Sequence, residues 1–454
     1  MRPVPHGVSA AGGTSFAATP PSAATTGAGR RSSLVTASHL VAGQLITGAA
    51  SLAVNAMSAR AMGPTGRGSF GLLLQVTYLA NLIAMAGTDK SYLATVPLRR
   101  SARGAAADAL RLVVPPALLV LSAAAPIVYA LGSGTPAGGL ATVASCLVTG
   151  VTVLTAATLR TGAAAAGMLR PYVVSTVVGQ SALVAMAMLL AMAKIDTPQL
   201  WLLAYGVALG AGPAVAWVML RRIPAMDEPP HDLGPARRLG LRLLPATIAG
   251  LVMLRADRLL LPWLGSYEQL GLYIVVATVA EFAIWPVISW TDAQSPSWHQ
   301  RHLAGDLRRT GPLLMAAGYG VLAGLALLAA GRLLVVPVFG EEYRASVGLL
   351  VPLAAAAACY SVSRVAIGLG VAAGRARGAL IADVPAMAVA LVAYLLLIPR
   401  YGALGAAVGS AVAYGVGAVL AVCACAREPR RTTATAAQPS RTDDRRPASS
   451  AAPD

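Results

Sequence analysis

The sequence predicts an all-α polytopic membrane protein with about twelve transmembrane helices, arranged as two sets of six. The chain of 454 residues is 56% hydrophobic and only 12% charged, with a mean hydropathy of +0.67, whereas soluble domains carry about 25% charged residues. Apolar runs of about 20 residues, enough to cross a bilayer, recur along most of the chain. This leaves no length for a separate soluble catalytic domain.

The apolar runs fall into two groups separated by a polar stretch rich in proline and acidic residues. The first group is predicted at residues 34–57, 69–87, 112–131, 140–159, 172–193 and 200–220. The second group is predicted at residues 243–264, 270–290, 313–330, 347–370, 380–398 and 403–424. The domain organisation is therefore an N-terminal set over 34–220, a cytoplasmic linker over 221–242 and a C-terminal set over 243–426.

Both ends of the chain are polar. Residues 1–33 are rich in Ala, Gly, Ser, Thr and Pro and lack an apolar core of signal-peptide length, so they are predicted to be a disordered leader. Residues 427–454 combine arginines with Thr, Ser, Pro and Ala and are predicted to be a disordered basic tail.

The net charge of +17 comes from 35 Lys and Arg against 18 Asp and Glu. In a soluble protein such an excess would suggest nucleic acid, but here its placement follows the rule that cytoplasmic loops concentrate cations. Only a few cations fall on the outer side, namely Arg60, Arg67, Lys194, Arg344 and Arg400. We therefore expect a multi-pass protein of the bacterial plasma membrane, with both termini cytoplasmic and no nucleic-acid partner.

Cysteine and histidine give no sign of a metal site or a disulfide framework. The four cysteines lie in apolar runs, and the closest pairs, Cys423 with Cys425 and His299 with His302, have no second half at ligand spacing. We expect no metal ion and no catalytic residues.

A glycine-punctuated turn recurs in the two halves. It is Gly63-Pro-Thr-Gly-Arg-Gly-Ser-Phe70 after the first span and Gly265-Ser-Tyr-Glu-Gln-Leu-Gly-Leu-Tyr273 after the seventh. Glycine permits a tight reversal, so each turn predicts a helical hairpin. Corresponding hairpins that start on the same side indicate parallel repeats, an organisation used by transporters.

Four stretches resemble polysaccharide flippases of the multidrug/oligosaccharidyl-lipid/polysaccharide exporter superfamily, which includes O-antigen flippases. They are Ala59–Pro64 with Gly68–Phe70, Leu254–Leu261 with Gly271–Tyr273, Val338–Tyr343 with Ser346–Pro352, and Gly374–Arg375 with Ile398–Ala407. The resemblance implies two six-helix lobes around a central cavity that opens alternately to either side. It also implies transfer of a lipid-linked oligosaccharide to the outer leaflet, commonly coupled to an H⁺ or Na⁺ gradient, with no other cofactor.

Ionisable residues inside spans cost about 2.5–3.5 kcal/mol each on insertion scales and therefore mark candidate sites. In the seventh span, Arg258 and Thr247 share a direction, whereas Arg255 and Asp257 point to nearly opposite sides. Arg258 and Thr247 are predicted to line the cavity, with either Arg255 or Asp257 on a neighbouring helix. Alternatively, both arginines snorkel to the headgroups and Asp257 pairs with one of them.

Glu281 is the strongest single candidate because it lies in the middle of the eighth span. Asp292 follows on the same helical face, about 16 Å further along. The two carboxylates are predicted to exchange a proton or Na⁺, although Asp292 also fits an interfacial end residue and Glu281 a packing partner of a seventh-span arginine.

Arg364 in the tenth span either binds pyrophosphate through paired hydrogen bonds or neutralises Asp383 on the next helix. The predicted substrate-binding residues are therefore Arg255, Arg258, Arg364 and Thr247. The predicted ion-coupling residues are Glu281, Asp257, Asp292 and Asp383.

The leading functional hypothesis is a flippase for a polyprenyl-pyrophosphate-linked glycan with a net cationic cavity, acting in cell-surface polysaccharide biosynthesis. Its predicted partners are the glycan lipid, the bilayer and other polysaccharide-assembly proteins. A cation-coupled multidrug extruder would need an acidic, aromatic cavity, and only 5% of the residues are aromatic. A polyprenyl-phosphate glycosyltransferase or polymerase would need large outer loops, which the predicted spans do not leave. A non-transporting scaffold for glycan assembly stays open.

Overall fold

The computed structural model describes seven stretches of the chain, and the predicted tail and most of the predicted leader lie outside them. These stretches are residues 28–85, 87–95, 101–135, 137–165, 169–222, 231–374 and 377–426. The described residues are almost entirely helical and include no strand. This confirms the predicted all-α polytopic class.

The helices follow the chain in two groups. The first comprises α1 (Ala28–Met85), α2 (Thr88–Thr95), α3 (Ala102–Ser133), α4 (Gly138–Ala165), α5 (Leu169–Met192) and α6 (Pro198–Arg221). The second comprises α7 (Gly234–Leu264), α8 (Tyr267–Leu303), α9 (Thr310–Phe339), a 3₁₀ helix (Glu341–Leu349), α10 (Leu350–Ala372) and α11 (Arg377–Ala426).

Helix α1 is a hairpin and contains the first two predicted spans. Its helical dihedral angles are broken at Gly63, where φ is 64° and ψ is −178°. Arg67 donates from Nε to Asn55 Oδ1 over 2.9 Å, although residues twelve positions apart are about 18 Å apart along a straight helix. The chain therefore doubles back at Gly63, as the glycine turn predicts.

Helix α11 reverses in the same way at Gly402, where φ is 54°. The hydroxyls of Tyr394 and Ser410 lie 2.9 Å apart across this turn, so the last two predicted spans form a hairpin. In the described part of the chain, nine helical segments are long and apolar enough to cross a membrane, and two of them, of 40 and 49 residues, contain these hairpins.

Helix α7 is not among those nine segments, which were sought only where the structure describes the side chains. It begins at Gly234, inside the stretch predicted as a linker over 221–242. The polar composition conceals an amphipathic first turn, in which Ala236 is buried and Arg237 is exposed. Likewise, α1 begins at Ala28, inside the predicted leader.

The two groups of helices meet mainly through α1, which packs along α8 and touches α7. The repeated glycine turns contact each other directly. A Cβ atom on Gly68 would lie 1.8 Å from the carbonyl oxygen of Tyr267, and one on Gly271 would lie 1.9 Å from that of Pro64. This reciprocal backbone contact requires glycine on both sides.

Side chains reinforce this contact at the same end of the bundle. Arg60 Nε donates to the carbonyl oxygen of Val338 at the end of α9 over 2.7 Å, and the Tyr343 hydroxyl donates to that of Ala59 over 3.2 Å. The end of the bundle that holds the Gly63 turn is therefore closed between the two groups.

Candidate functional site

Three predicted charges converge between α7 and α8. Arg255 donates to Glu281 through both terminal nitrogens, over 2.7 Å to Oε1 and 3.2 Å to Oε2. Arg258 donates to the same Oε1 atom. Both arginines therefore turn toward α8, which contradicts the alternative in which they snorkel to the headgroups.

This cluster lies deep in the bundle and is partly accessible. Glu281 follows the first residue of α8 by fourteen positions, about 21 Å along the helix. The exposed fraction is 30% for the Arg255 side chain and 21% for Glu281, but 8% for Arg258. Helices α7 and α8 both touch α1. We therefore place this accessible space where α1 of the first group meets α7 and α8 of the second, a contact that we call the seam.

Arg255 and Asp257 both reach α8, Arg255 through Glu281 and Asp257 through the Tyr273 hydroxyl. Of the two, Asp257 is the enclosed one. It accepts from the backbone N–H of Arg258 over 2.8 Å and from the Tyr273 hydroxyl over 2.5 Å. That hydroxyl also lies 3.5 Å from Ser410. Asp257 is only 4% exposed, and its predicted ion-coupling role stays a prediction.

Arg364 donates to Asp383. Of the two alternatives for Arg364, the structure therefore has the one in which it neutralises Asp383. Its guanidinium carbon also lies 4.8 Å from the centroid of the Tyr360 ring. Tyr360 is in turn within electrostatic range of Glu281 and Arg255. Tyr360 therefore contacts Arg364 and is near the Glu281 cluster.

Two predicted residues are not placed in this site. The side chain of Thr247 lies outside the described residues, so its predicted role stays a prediction. Asp292 is exposed, and α8 continues past it to Leu303. It is therefore not at a helix end, and its spacing of about 16 Å from Glu281 separates it from the cluster.

Arg67 belongs to the site, although its position near a turn led us to predict it on the outer surface. It is 5% exposed, donates to Asn55, and lies with its guanidinium carbon 5.2 Å from the Phe70 centroid. It is also within electrostatic range of Arg258. The sequence contains a sign of this contact, because Arg67 and Phe70 are three positions apart and therefore share one helix face.

Several guanidinium N–H groups at the site lack an acceptor. Among the described residues, Arg67 Nη1, Arg258 Nε and Arg364 Nε are buried and make no hydrogen bond. Such donors are costly to leave unpaired. Counted together, Arg67, Arg255, Arg258 and Arg364 outnumber the carboxylates of Asp257, Glu281 and Asp383 by one, so these residues carry a net positive charge of one.

No protein-family model and no curated protein matches the chain. A solved structure of a multidrug resistance MATE family transporter of the MOP superfamily, in an inward-facing conformation, matches 83% of this chain and 94% of its own, with a TM-score of 0.63 at 14% identity. The lipid II flippase MurJ, in an inward closed conformation, matches 86% of this chain and 88% of its own, with a TM-score of 0.63 at 10% identity. The MATE transporter VcmN of Vibrio cholerae matches 87% and 97%, with a TM-score of 0.58 at 14% identity.

This chain has the fold shared by MATE transporters and MurJ. The match confirms the predicted resemblance to the MOP superfamily at the level of the fold, and the three neighbours are transporters. Within this MATE-like fold, guanidinium donors and carboxylates lie together partway along α7 and α8. Such an arrangement can bind and release a charged group without covalent chemistry.

Proposed function

We propose that this protein is a flippase that moves a polyprenyl-pyrophosphate-linked oligosaccharide from the inner to the outer leaflet by alternating access. The observation that carries the proposal is the set of buried guanidinium donors without an acceptor on Arg67, Arg258 and Arg364. Guanidinium groups match phosphate oxygens through paired hydrogen bonds better than ammonium groups do.

Charge placement supports this substrate class. Arg67 belongs to the first group of helices and Arg258 to the second, yet they are within electrostatic range of each other. Two cations within electrostatic range of each other repel, and a phosphate bound near both would relieve the repulsion. Our proposal places the diphosphate at these arginines, the glycan in the aqueous space and the lipid tail in the bilayer. It also places both chain termini in the cytoplasm of a bacterium.

The proposal is tested by reconstituting the purified protein in vesicles with a fluorescent polyprenyl-diphosphate glycan. A membrane-impermeant quencher then reports how much of the lipid has reached the opposite leaflet. The matched substrate carries the same glycan and polyprenyl tail through a neutral linker. We expect transfer of the diphosphate lipid alone, and equal transfer of both lipids would contradict the proposal.

A multidrug extruder is the second candidate, and one feature of the structure favours it. Although aromatic residues are scarce, tyrosines gather at this seam. Tyr360 and Tyr414 have ring centroids 5.3 Å apart, and the hydroxyls of Tyr78 and Tyr205 are 2.8 Å apart. Aromatic faces together with Glu281 suit a cationic amphiphile. Export of a cationic dye by the same vesicles, without transfer of the diphosphate lipid, would establish this alternative.

A further inference from the structure

Glu281 occupies the position that an anionic ligand of Arg255 and Arg258 would take. Its two carboxylate oxygens accept from both terminal nitrogens of Arg255 over 2.7 and 3.2 Å, and one of them also accepts from Arg258. Two carboxylate oxygens that face the two terminal nitrogens of one guanidinium reproduce the geometry by which arginine binds phosphate. A group of the protein itself therefore occupies Arg258, which the proposed function assigns to the substrate, together with the neighbouring Arg255.

The partners of Glu281 differ from those of the other two carboxylates. Asp257 is held by a backbone N–H and a tyrosine hydroxyl, and these groups keep it in place whether or not an anion binds. Asp383 pairs with Arg364 and does not touch the two seventh-helix arginines. The hydrogen bonds of Glu281 go only to Arg255 and Arg258 among the described residues, so an anion that takes these arginines removes its hydrogen-bond donors.

The other described groups around Glu281 are tyrosines, whose neutral hydroxyls are weaker partners for a carboxylate than a guanidinium is. Arg255 and Arg258 face it from α7, Tyr360 from α10 and Tyr414 from α11. The Tyr414 hydroxyl donates to the carbonyl oxygen of Met253 over 3.4 Å, while on α9 the Tyr319 hydroxyl donates to that of Ala283. An ionised carboxylate left without a cation inside a membrane protein is unstable and is neutralised by protonation.

We propose that Glu281 is an intramolecular competitor of the anionic substrate and that the exchange of the two couples transport to protons. The phosphate group displaces the carboxylate from Arg255 and Arg258, and the released carboxylate takes one proton from the water in the site. When the phosphate leaves, Glu281 returns that proton to water and pairs with the arginines again. This inference rests on the proposed function, because it needs an anionic substrate at these arginines.

The test measures binding of inorganic pyrophosphate to the full-length protein in detergent by isothermal titration calorimetry. Titrations in two buffers of different ionisation enthalpy give the number of protons taken up on binding. Because Glu281→Gln removes the competing charge, we expect this variant to bind pyrophosphate at least about tenfold more tightly than the wild type. We also expect the wild type to take up about one proton more than the variant per pyrophosphate bound.

The matched control is Glu341→Gln, which removes an equal charge from an exposed pair with Arg344, where the exposed fractions are 68% and 72%. We expect this variant to behave as the wild type does. If Glu281→Gln fails to fold, Glu281→Asp provides a second test. Its shorter side chain remains ionised but reaches the arginines less well, so we expect tighter binding than in the wild type with proton uptake retained.

The outcomes separate this inference from the proposed function. If the wild type binds pyrophosphate and Arg258→Gln weakens that binding, but Glu281→Gln does not tighten it, the competitor role is wrong and the anion site stands. Equal proton uptake by the wild type and Glu281→Gln also overturns the coupling. If neither protein binds pyrophosphate, the proposed function itself fails.

Discussion

The two six-helix halves carry the same glycine turn but differ in what they bury. In the first half, the polar groups buried along α1 are mostly uncharged, as in Asn55, Thr77 and Asn81, and Arg67 is the buried cation there. In the second half, Asp257 and Arg258 are buried on one helix, and Glu281 lies beside them on the next. The first half also buries Asp108 on α3. The contact between halves is therefore repeated, whereas the buried charges are arranged differently: Arg67 and Asp108 lie on different helices, and Asp257, Arg258 and Glu281 form one cluster.

This difference indicates that the two halves have different roles. Buried ion pairs are costly and contribute little net stability against apolar replacements, so a folded core does not require them. Their concentration on α7 and α8, next to the seam, agrees with a role in handling charge. The first half supplies a complementary surface and one cation. The variants below test this contrast, starting with the largest expected effect.

Arg258→Gln should have the largest effect because it removes the cation beside the buried Asp257 and one of the two arginine partners of Glu281, which keeps only Arg255. Breaking one partner of a buried pair costs about 3–5 kcal/mol, and we expect the free energy of unfolding in detergent to fall by that amount, with loss of lipid transfer. Arg344→Gln is the control, since its exposed pair with Glu341 is worth about 0–1 kcal/mol. Equal effects of the two variants would contradict the assignment.

Tyr273→Phe removes the hydroxyl that donates to the buried Asp257 carboxylate. Hydrogen bonds to charged groups contribute about 1.5–3 kcal/mol, so we expect a loss of unfolding free energy in that range. Chemical denaturation in mild detergent measures it. A change below about 0.5 kcal/mol, less than a typical neutral hydrogen bond contributes, would show that this hydroxyl does not stabilise Asp257.

Gly271→Ala tests the contact between the halves, since the new methyl group would lie 1.9 Å from the carbonyl oxygen of Pro64. Overpacking of this kind costs about 1–3 kcal/mol, and we expect faster amide hydrogen exchange over residues 64–71 as the two turns separate. Gly318→Ala is the control, because nothing lies within 4 Å of its added methyl group and alanine favours a helix interior by about 0.5–1 kcal/mol. Unchanged exchange in Gly271→Ala would argue against a tight glycine contact.

Tyr205→Phe should have the smallest effect. It removes the hydroxyl pair with Tyr78 in the first half, and a neutral hydrogen bond contributes about 0.5–1.5 kcal/mol. We expect a loss of unfolding free energy in that range and retention of lipid transfer, in contrast with Tyr273→Phe in the second half. A larger loss for Tyr205→Phe than for Tyr273→Phe would reverse the comparison between the halves.

Most of the fold could be predicted because hydropathy and glycine spacing are local properties. The turns at Gly63 and Gly265 appear where the repeated motif places them. The start of α7 could not be read from composition, since its first turn is amphipathic and polar overall, with Arg237 exposed beside the buried Ala236.

The site could be predicted only in part, because its residues are visible in the sequence but their pairing is not. Glu281 and Arg258 stand out as charges in apolar runs, and helical geometry separates Asp257 from Arg258. That both Arg255 and Arg258 bind one carboxylate depends on how α7 and α8 pack. Arg67 was missed because hydropathy cannot tell a residue at the surface of a turn from one folded into the seam.

The most direct test of the account is a cryo-electron microscopy structure of the protein with bound polyprenyl diphosphate. We expect density for the phosphates in contact with Arg255 and Arg258, within reach of Arg67 Nη1, and the Glu281 carboxylate turned away from both seventh-helix arginines. Phosphate density elsewhere, with Glu281 still paired to Arg255 and Arg258, would contradict it.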